Sequence, residues 1–154
     1  MSGGIKLAII VGLPGVGKST VLNLAKDILI NKGYHVEVVN FGDYMFKYVV
    51  SQGLAKSRDE IRKLPLHVIR NLTPNTIIVV EAEPEEIVAR QLRDRTRYRS
   101  DYAIIDLVKK LLSMNRMYAI ASAVLVGASV NFIMNREGKA NEAAEELVSV
   151  IERL

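Results

Sequence analysis

The chain contains no cysteine, which excludes disulfides, thiolate metal sites, cysteine nucleophiles and thiol redox chemistry. It has no tryptophan either, and six Tyr and three Phe are its whole aromatic complement, so its core must be aliphatic. Long apolar runs are also missing: the longest weakly polar stretch, 119–130, is too short to span a bilayer and is interrupted by Ser122, Gly127 and Ser129. No membrane helix is expected. The opening Met1-Ser2-Gly3-Gly4 leads straight into apolar residues with no small-residue cleavage site after them, so a cytoplasmic protein without a secretory signal is expected.

What is present is ample for a core. Of the 154 residues 49% are hydrophobic, and Val and Ile alone number 33, which rules out a solvated, disordered chain and predicts one domain over 1–154. Four runs read as strands: 6–11, 35–41, 76–82 and 130–134. Three of them are nearly continuous Val, Ile and Leu, the pattern of a parallel sheet covered on both faces. Helical spacing follows the first run through Val21, Leu22, Ala25, Ile28 and Leu29 and stops at Gly33, a C′ residue. Shorter helices are predicted over 44–52 and from Ser57, whose pairing with Glu60 has capping-box form, and another opens at Pro84 with Glu85 and Glu86. A long, broadly buried helix is expected over 101–125, its Met residues in the core, and a last one over 140–153 burying Ala143, Ala144, Leu147, Val148 and Ile151. Strands alternating with helices predict a layered α/β fold with right-handed crossovers.

The segment Gly12-Leu13-Pro14-Gly15-Val16-Gly17-Lys18-Ser19 matches the phosphate-loop pattern G-x-x-x-x-G-K-[ST], between a buried strand and a helix as the mechanism requires. The glycines let successive backbone N–H groups converge on a phosphate, and the helix adds its positive end. Lys18 is expected to neutralise the β and γ oxygens, and Ser19 to be the protein ligand of a Mg²⁺ that otherwise binds water and nucleotide phosphate. No Asn-Lys-x-Asp guanine motif exists; the last strand is followed instead by Asn135-Arg136-Glu137-Gly138, so ATP is the expected nucleotide.

The net charge of +4 is not spread over the surface. Residues 90–99 hold Arg90, Arg93, Arg95, Arg97 and Arg99 against Asp94, and the remaining chain carries sixteen basic and sixteen acidic residues. On a helix Arg90, Arg93 and Arg97 share a face, where like charges cost about 0.2–0.5 kcal/mol per pair unless an anion offsets them. A polyphosphate would do so, and arginine's planar fork suits it. A solvated face with pairs such as Glu86 with Arg90 is the plainer reading. Nucleic-acid binding is the weaker one, because the cluster is compact and only Tyr98 interleaves it.

Taken in order, the phosphate loop, Asn40-Phe41-Gly42-Asp43, Arg58-Asp59-Glu60-Ile61-Arg62-Lys63-Leu64, Val79-Val80-Glu81-Ala82-Glu83-Pro84, Asp94-Arg95-Thr96-Arg97 and Asn135-Arg136-Glu137-Gly138 resemble the adenylate kinase family in its short-lid archaeal form. The resemblance implies a P-loop fold with an arginine-rich lid over 90–101 and an acceptor-nucleotide segment over 42–71. The implied activity is reversible phosphoryl transfer from ATP to AMP, giving two ADP. By the same resemblance Gly12 to Thr20 (Gly12, Leu13, Pro14, Gly15, Val16, Gly17, Lys18, Ser19 and Thr20) hold the ATP phosphates, with Lys18 as the catalytic cation. Gly42, Asp43 and Met45 shape the acceptor pocket, and Arg58 and Arg62 meet the acceptor phosphate. Arg90, Arg97 and Arg99 act in the lid, Arg90 and Arg97 as catalytic residues with Lys18, and Asn135 and the turn after it lie near the ATP base. Trimers are common in the family, so a homo-oligomer is implied. Without the resemblance, Arg58 and Arg62 read equally well as surface charge beside Asp59 and Glu60. His35 and His67 have no assigned role.

The chain also departs from the family. In the family a helix, a parallel strand ending in Asp-Thr-His and a Gly-Tyr-Leu-Pro-Gly-Leu-Pro loop follow the Arg-Lys-Leu helix, whereas here Leu64 runs directly into Pro65. The omitted strand lies between the family's first two strands and bears an Asp that helps organise Mg²⁺. Its loss predicts a gap in the sheet or re-pairing of what remains. Glu81 and Glu83 are possible substitute carboxylates, though they read more simply as part of their own strand end. The departure leaves an alternative function, an ATP-binding module without transferase activity.

Overall fold

A computed structural model describes residues 4–39, 73–93 and 105–154. Its strands are β1 (Ala8–Val11), β2 (Thr76–Glu81) and β3 (Ser129–Met134), hydrogen-bonded in the order β1-β2-β3 and all parallel. Ala8 faces Thr76 across the first pair, and Thr76 faces Ser129 across the second. Four helices are described: α1 (Lys18–Asn31), α2 (Pro84–Arg93), α3 (Ile105–Val126) and α4 (Ala140–Glu152).

The central strand β2 is buried at every position, as its unbroken Thr-Ile-Ile-Val-Val-Glu run foretells. Alternation divides it between two layers. Ile78 packs with Val21, Ala25 and Leu29 of α1 and Ala144 and Leu147 of α4, whereas Ile77 and Val79 pack with Ala119 and Ala123 of α3. Each Val, Leu and Ile among them contributes about 1.5–3 kcal/mol by leaving water, and each Ala less. The one buried hydroxyl of β2 is satisfied: Thr76 Oγ1 donates to Ser129 O at 3.2 Å and accepts from Asn131 Nδ2 at 3.1 Å.

Helix α1 ends as its Gly33 suggests. The Tyr34 N–H reaches Leu29 O at 3.0 Å and the Gly33 N–H reaches Ile30 O at 2.9 Å, the two bonds of a Schellman closure. Just beyond, Lys32 Nζ meets Glu152 Oε1 at 2.6 Å and Tyr34 OH donates to Glu152 Oε2 at 3.3 Å, tying α1 to the end of α4. Helix α2 starts at Pro84 with Glu85 and Glu86 where the dipole favours them, and buries Ile87 against Val16 and Val80. That contact sets α2 beside the loop after β1.

Two expectations need correction. Of the predicted strand 35–41, residues 35–39 form no strand, and Val38 and Val39 are 41% and 61% exposed, so the described sheet has three strands instead of four. Among the described residues no strand pairs with this run. β1 stands at the edge of the described sheet, and all four of its residues are only half-buried, while its neighbour β2 is buried throughout. The second correction concerns α3, which is not broadly buried. Among its residues Val108, Ala119, Ser122 and Ala123 are buried, while Met114, Met117, Ile120, Val124 and Leu125 are exposed. The methionines point away from the sheet because a helix laid on a flat layer can bury only one face.

Candidate phosphate-binding site

The site forms where β1 ends. Its strand delivers the chain at Val11, the loop turns through Gly12–Gly17, and α1 begins at Lys18. A Cβ on Gly12 would lie 2.8 Å from Val16 Cγ2 and 2.9 Å from Val80 O, so the loop passes too close to β2 for any side chain there. Gly17 is left-handed at φ 80, and a Cβ on it would run into Asn135 Nδ2. As the N-cap, Gly17 provides no side chain to bond the first N–H groups of α1, which leaves them and the helix dipole facing the loop. Lys18 is half-buried at the first helical position, and Ser19 and Thr20 are exposed beside it.

Three side chains hold the loop from outside by its carbonyls. Pro14 O accepts from Gln91 Nε2 at 2.7 Å, Gly15 O from Arg90 Nη1 at 3.2 Å and Val16 O from Asn135 Nδ2 at 2.8 Å. Gln91 and Arg90 come from α2, whose position Ile87 fixes; Asn135 follows β3, where its N–H donates to Glu81 O at 2.7 Å. Arg90 is itself flanked by acids: its Nε and Nη2 reach Glu137 Oε2 at 3.3 and 3.2 Å, and Glu86 Oε2 stands 3.7 Å from Nη2. Gln91 Oε1 and Asn135 Oδ1 are buried with no partner among the described residues. An orphaned buried acceptor costs about 1–3 kcal/mol, which an apolar side chain of the same shape would avoid, so these amides are explained by their donors and not by packing. An open depression of about 230 Å³ adjoins the loop, lined by Gly17, Thr20, Arg90, Asn135, Arg136 and Glu137 among others.

Among the sequence-predicted residues, the structure gathers the loop with Arg90 and Asn135. Arg90 bonds the loop backbone and Glu137, and Arg93 Nε bonds Ala89 O of its own helix at 3.3 Å. Gly42, Asp43, Met45, Arg58, Arg62, Arg97 and Arg99 lie outside the described residues. Glu81, a possible metal-side carboxylate, is occupied otherwise: Arg116 of α3 bonds it through Nε at 2.7 Å and Nη2 at 2.6 Å. No group of three or more His, Asp or Glu is placed to hold a metal among the described residues. Gln91 and Arg116 escaped the sequence reading, and Glu137 entered it only as part of the turn after Asn135. A lone Arg within the apolar stretch of α3 was a signal for Arg116; a neutral Gln beside Arg90 offered none.

Comparison with known proteins places these features in context. A family model described as an AAA domain matches residues 11–68 and, in a second match, 62–107. The adenylate kinase of Saccharolobus solfataricus is 36% identical over 192 residues, covering 94% of this chain and 98% of that protein. Those of Sulfurisphaera tokodaii and Methanocaldococcus jannaschii are each 33% identical, over 191 and 189 residues, covering 94% and 95% of this chain and 98% of each relative. The first alignment runs over 192 positions against a chain of 154, so at least 38 of its positions have no residue here. The two AAA-domain matches meet at 62–68, around the Leu64–Pro65 junction.

Proposed function

The chain belongs to the adenylate kinase family, and from that premise we infer its reaction: reversible transfer of the γ-phosphoryl group of ATP to AMP, giving two ADP. It is a phosphotransferase of the nucleoside monophosphate kinase class. The single observation that carries the reading at the level of atoms is the phosphate loop, held open at the positive end of α1 with Lys18 as the first helical residue. An oxygen of the AMP phosphate attacks the γ-phosphorus in line, the bond from that phosphorus to the β-bridging oxygen breaks, and ADP departs with the electron pair. No covalent enzyme intermediate is needed, so catalysis consists of alignment and charge stabilisation.

In this reading the loop amides and Lys18 bind the ATP phosphates. Arg97 and Arg99 stabilise the migrating group from the lid, while Arg58 and Arg62 hold the acceptor phosphate. The residues present suit a Mg²⁺ that arrives with ATP: Ser19 exposes a hydroxyl on the first turn of α1, and no carboxylate cage stands among the described residues to demand a tightly held ion. When bound, the ion would neutralise charge on the phosphate oxygens, with Ser19 as its protein ligand.

The exposed stripe of Met114, Met117, Ile120, Val124 and Leu125 on α3 supports association with further copies of the chain, and a trimer is the assembly we propose. A cytoplasmic location accords with the absence of cysteine and with there being no helix long and apolar enough to cross a membrane among the described residues. Acceptor selectivity tests the assignment: with ATP and Mg²⁺, AMP should be phosphorylated in preference to CMP, UMP and GMP, and equal use of all four would remove AMP as the substrate.

A further inference from the structure

We propose that Gln91 is a positioning residue for the ATP phosphates, acting through the Pro14–Gly15 peptide. The proposal rests on the phosphate-loop reading above and deepens it. A trans peptide is planar, with its C=O and the following N–H pointing in opposite directions, so a donor that fixes a carbonyl fixes the next amide as well. Gln91 Nε2 draws Pro14 O outward at 2.7 Å and thereby turns the Gly15 N–H into the loop; Asn135 Nδ2 does the same for the Gly17 N–H through Val16 O at 2.8 Å. The amide between them is spent differently. Arg90 holds Gly15 O at 3.2 Å, and the Val16 N–H that follows closes a turn on Leu13 O at 3.3 Å.

Of the three amides that follow these carbonyls, those of Gly15 and Gly17 are thus left to join the first N–H groups of α1 at the phosphate position, each backed by a neutral carboxamide. Both carboxamides leave their acceptor oxygens buried without a partner among the described residues, and the donor is the group each supplies to the loop. Gln91 adds what Asn135 cannot: it sits on α2 next to Arg90, and so ties the direction of a phosphate-binding amide to the placement of that helix. A Cβ on Gly15 would lie 3.1 Å from Gln91 Cγ, which shows how closely the side chain backs the loop.

Replacing Gln91 with Met keeps its length and removes the donor together with an acceptor oxygen that bonds nothing among the described residues. Calorimetry of the full chain should show ATP binding weakened about tenfold in Gln91→Met with AMP binding unchanged, and the Gly15 amide resonance should lose the shift that ATP induces in the wild type. Gln91→Leu, which also lacks the donor and adds no charge, should give the same loss and serves if the Met variant does not fold. ATP affinity within twofold of wild type in the folded variant would overturn the proposal alone. So would ATP and AMP binding falling together with the melting temperature, the mark of a purely structural residue. A wild-type chain that fails to bind ATP would overturn the phosphate-loop reading and the proposal with it.

Discussion

Arg116 grips Glu81 with both arms of its guanidinium, Nε to Oε2 at 2.7 Å and Nη2 to Oε1 at 2.6 Å, while lying 4.7 Å over the Phe132 ring. Glu81 closes β2 with its side chain 7% exposed, and its carbonyl receives Asn135, whose amide in turn holds Val16 of the phosphate loop. Helix α3 is thus linked through a strand end to the site. The pair draws its strength from being forked and from the burial of its carboxylate.

Removing one partner strands the other. Arg116→Met should destabilise the fold by about 1–3 kcal/mol, because Glu81 is left nearly buried without a counter-charge while the 52% exposure of Arg116 limits the loss. Urea denaturation measures it, and a variant as stable as wild type would show that water replaces Arg116 without loss.

Gly17→Ala should cost about 1–2 kcal/mol from the left-handed backbone alone. It should also displace Asn135, which the new Cβ would strike, and reduce ATP affinity at least as much as loss of the Asn135 bond does. Calorimetry beside Asn135→Leu checks the order of the two effects.

Lys18→Ala should lower kcat by on the order of 10³ with the melting temperature unchanged, since the ammonium stabilises charge that grows only as the phosphoryl group moves. Steady-state kinetics with a melting curve decide it. Wild-type turnover would remove Lys18 from the chemistry.

The link between α1 and α4 carries a pH signature. Lys32 holds the Glu152 carboxyl below its ordinary value, and Glu152 keeps the Lys32 ammonium above its own. The Glu152 contribution is fully present above the ordinary carboxyl value of 4.5 and is lost as pH falls through the lowered folded value; that of Lys32 is present below 10.5 and lost as pH rises through the raised one. The melting-temperature gap between wild type and Glu152→Gln should therefore hold from pH 6 to 8 and close in acid.

The stripe on α3 predicts assembly. Sedimentation of the purified chain should give a trimer, and Met117→Lys with Val124→Lys should give a folded monomer; a wild-type monomer would refute self-association through this face.

Much of this architecture was legible beforehand. The unbroken aliphatic run of β2 and the phosphate-loop pattern require little beyond themselves, because burial on both faces and a glycine-bound turn are written locally. The run at 35–41 reads as a strand as well, yet its described residues 35–39 form no strand, since pairing depends on a neighbour that sits elsewhere in the chain and not on the run itself. Periodicity also misplaced Met114 and Met117: a helix apolar nearly all round does not reveal which face meets the sheet. Gln91 was invisible because its role lies in the carbonyl it meets seventy-seven residues away.

The reaction itself is the final test. The purified 154-residue chain, supplied with ATP, AMP and Mg²⁺ and followed by phosphorus NMR, should form two ADP for each ATP consumed, with no phosphate released and no ADP when AMP is omitted. ATP binding by calorimetry with no ADP formed would contradict the assignment, and would mean that a phosphate loop survives here without the transfer it serves in the family.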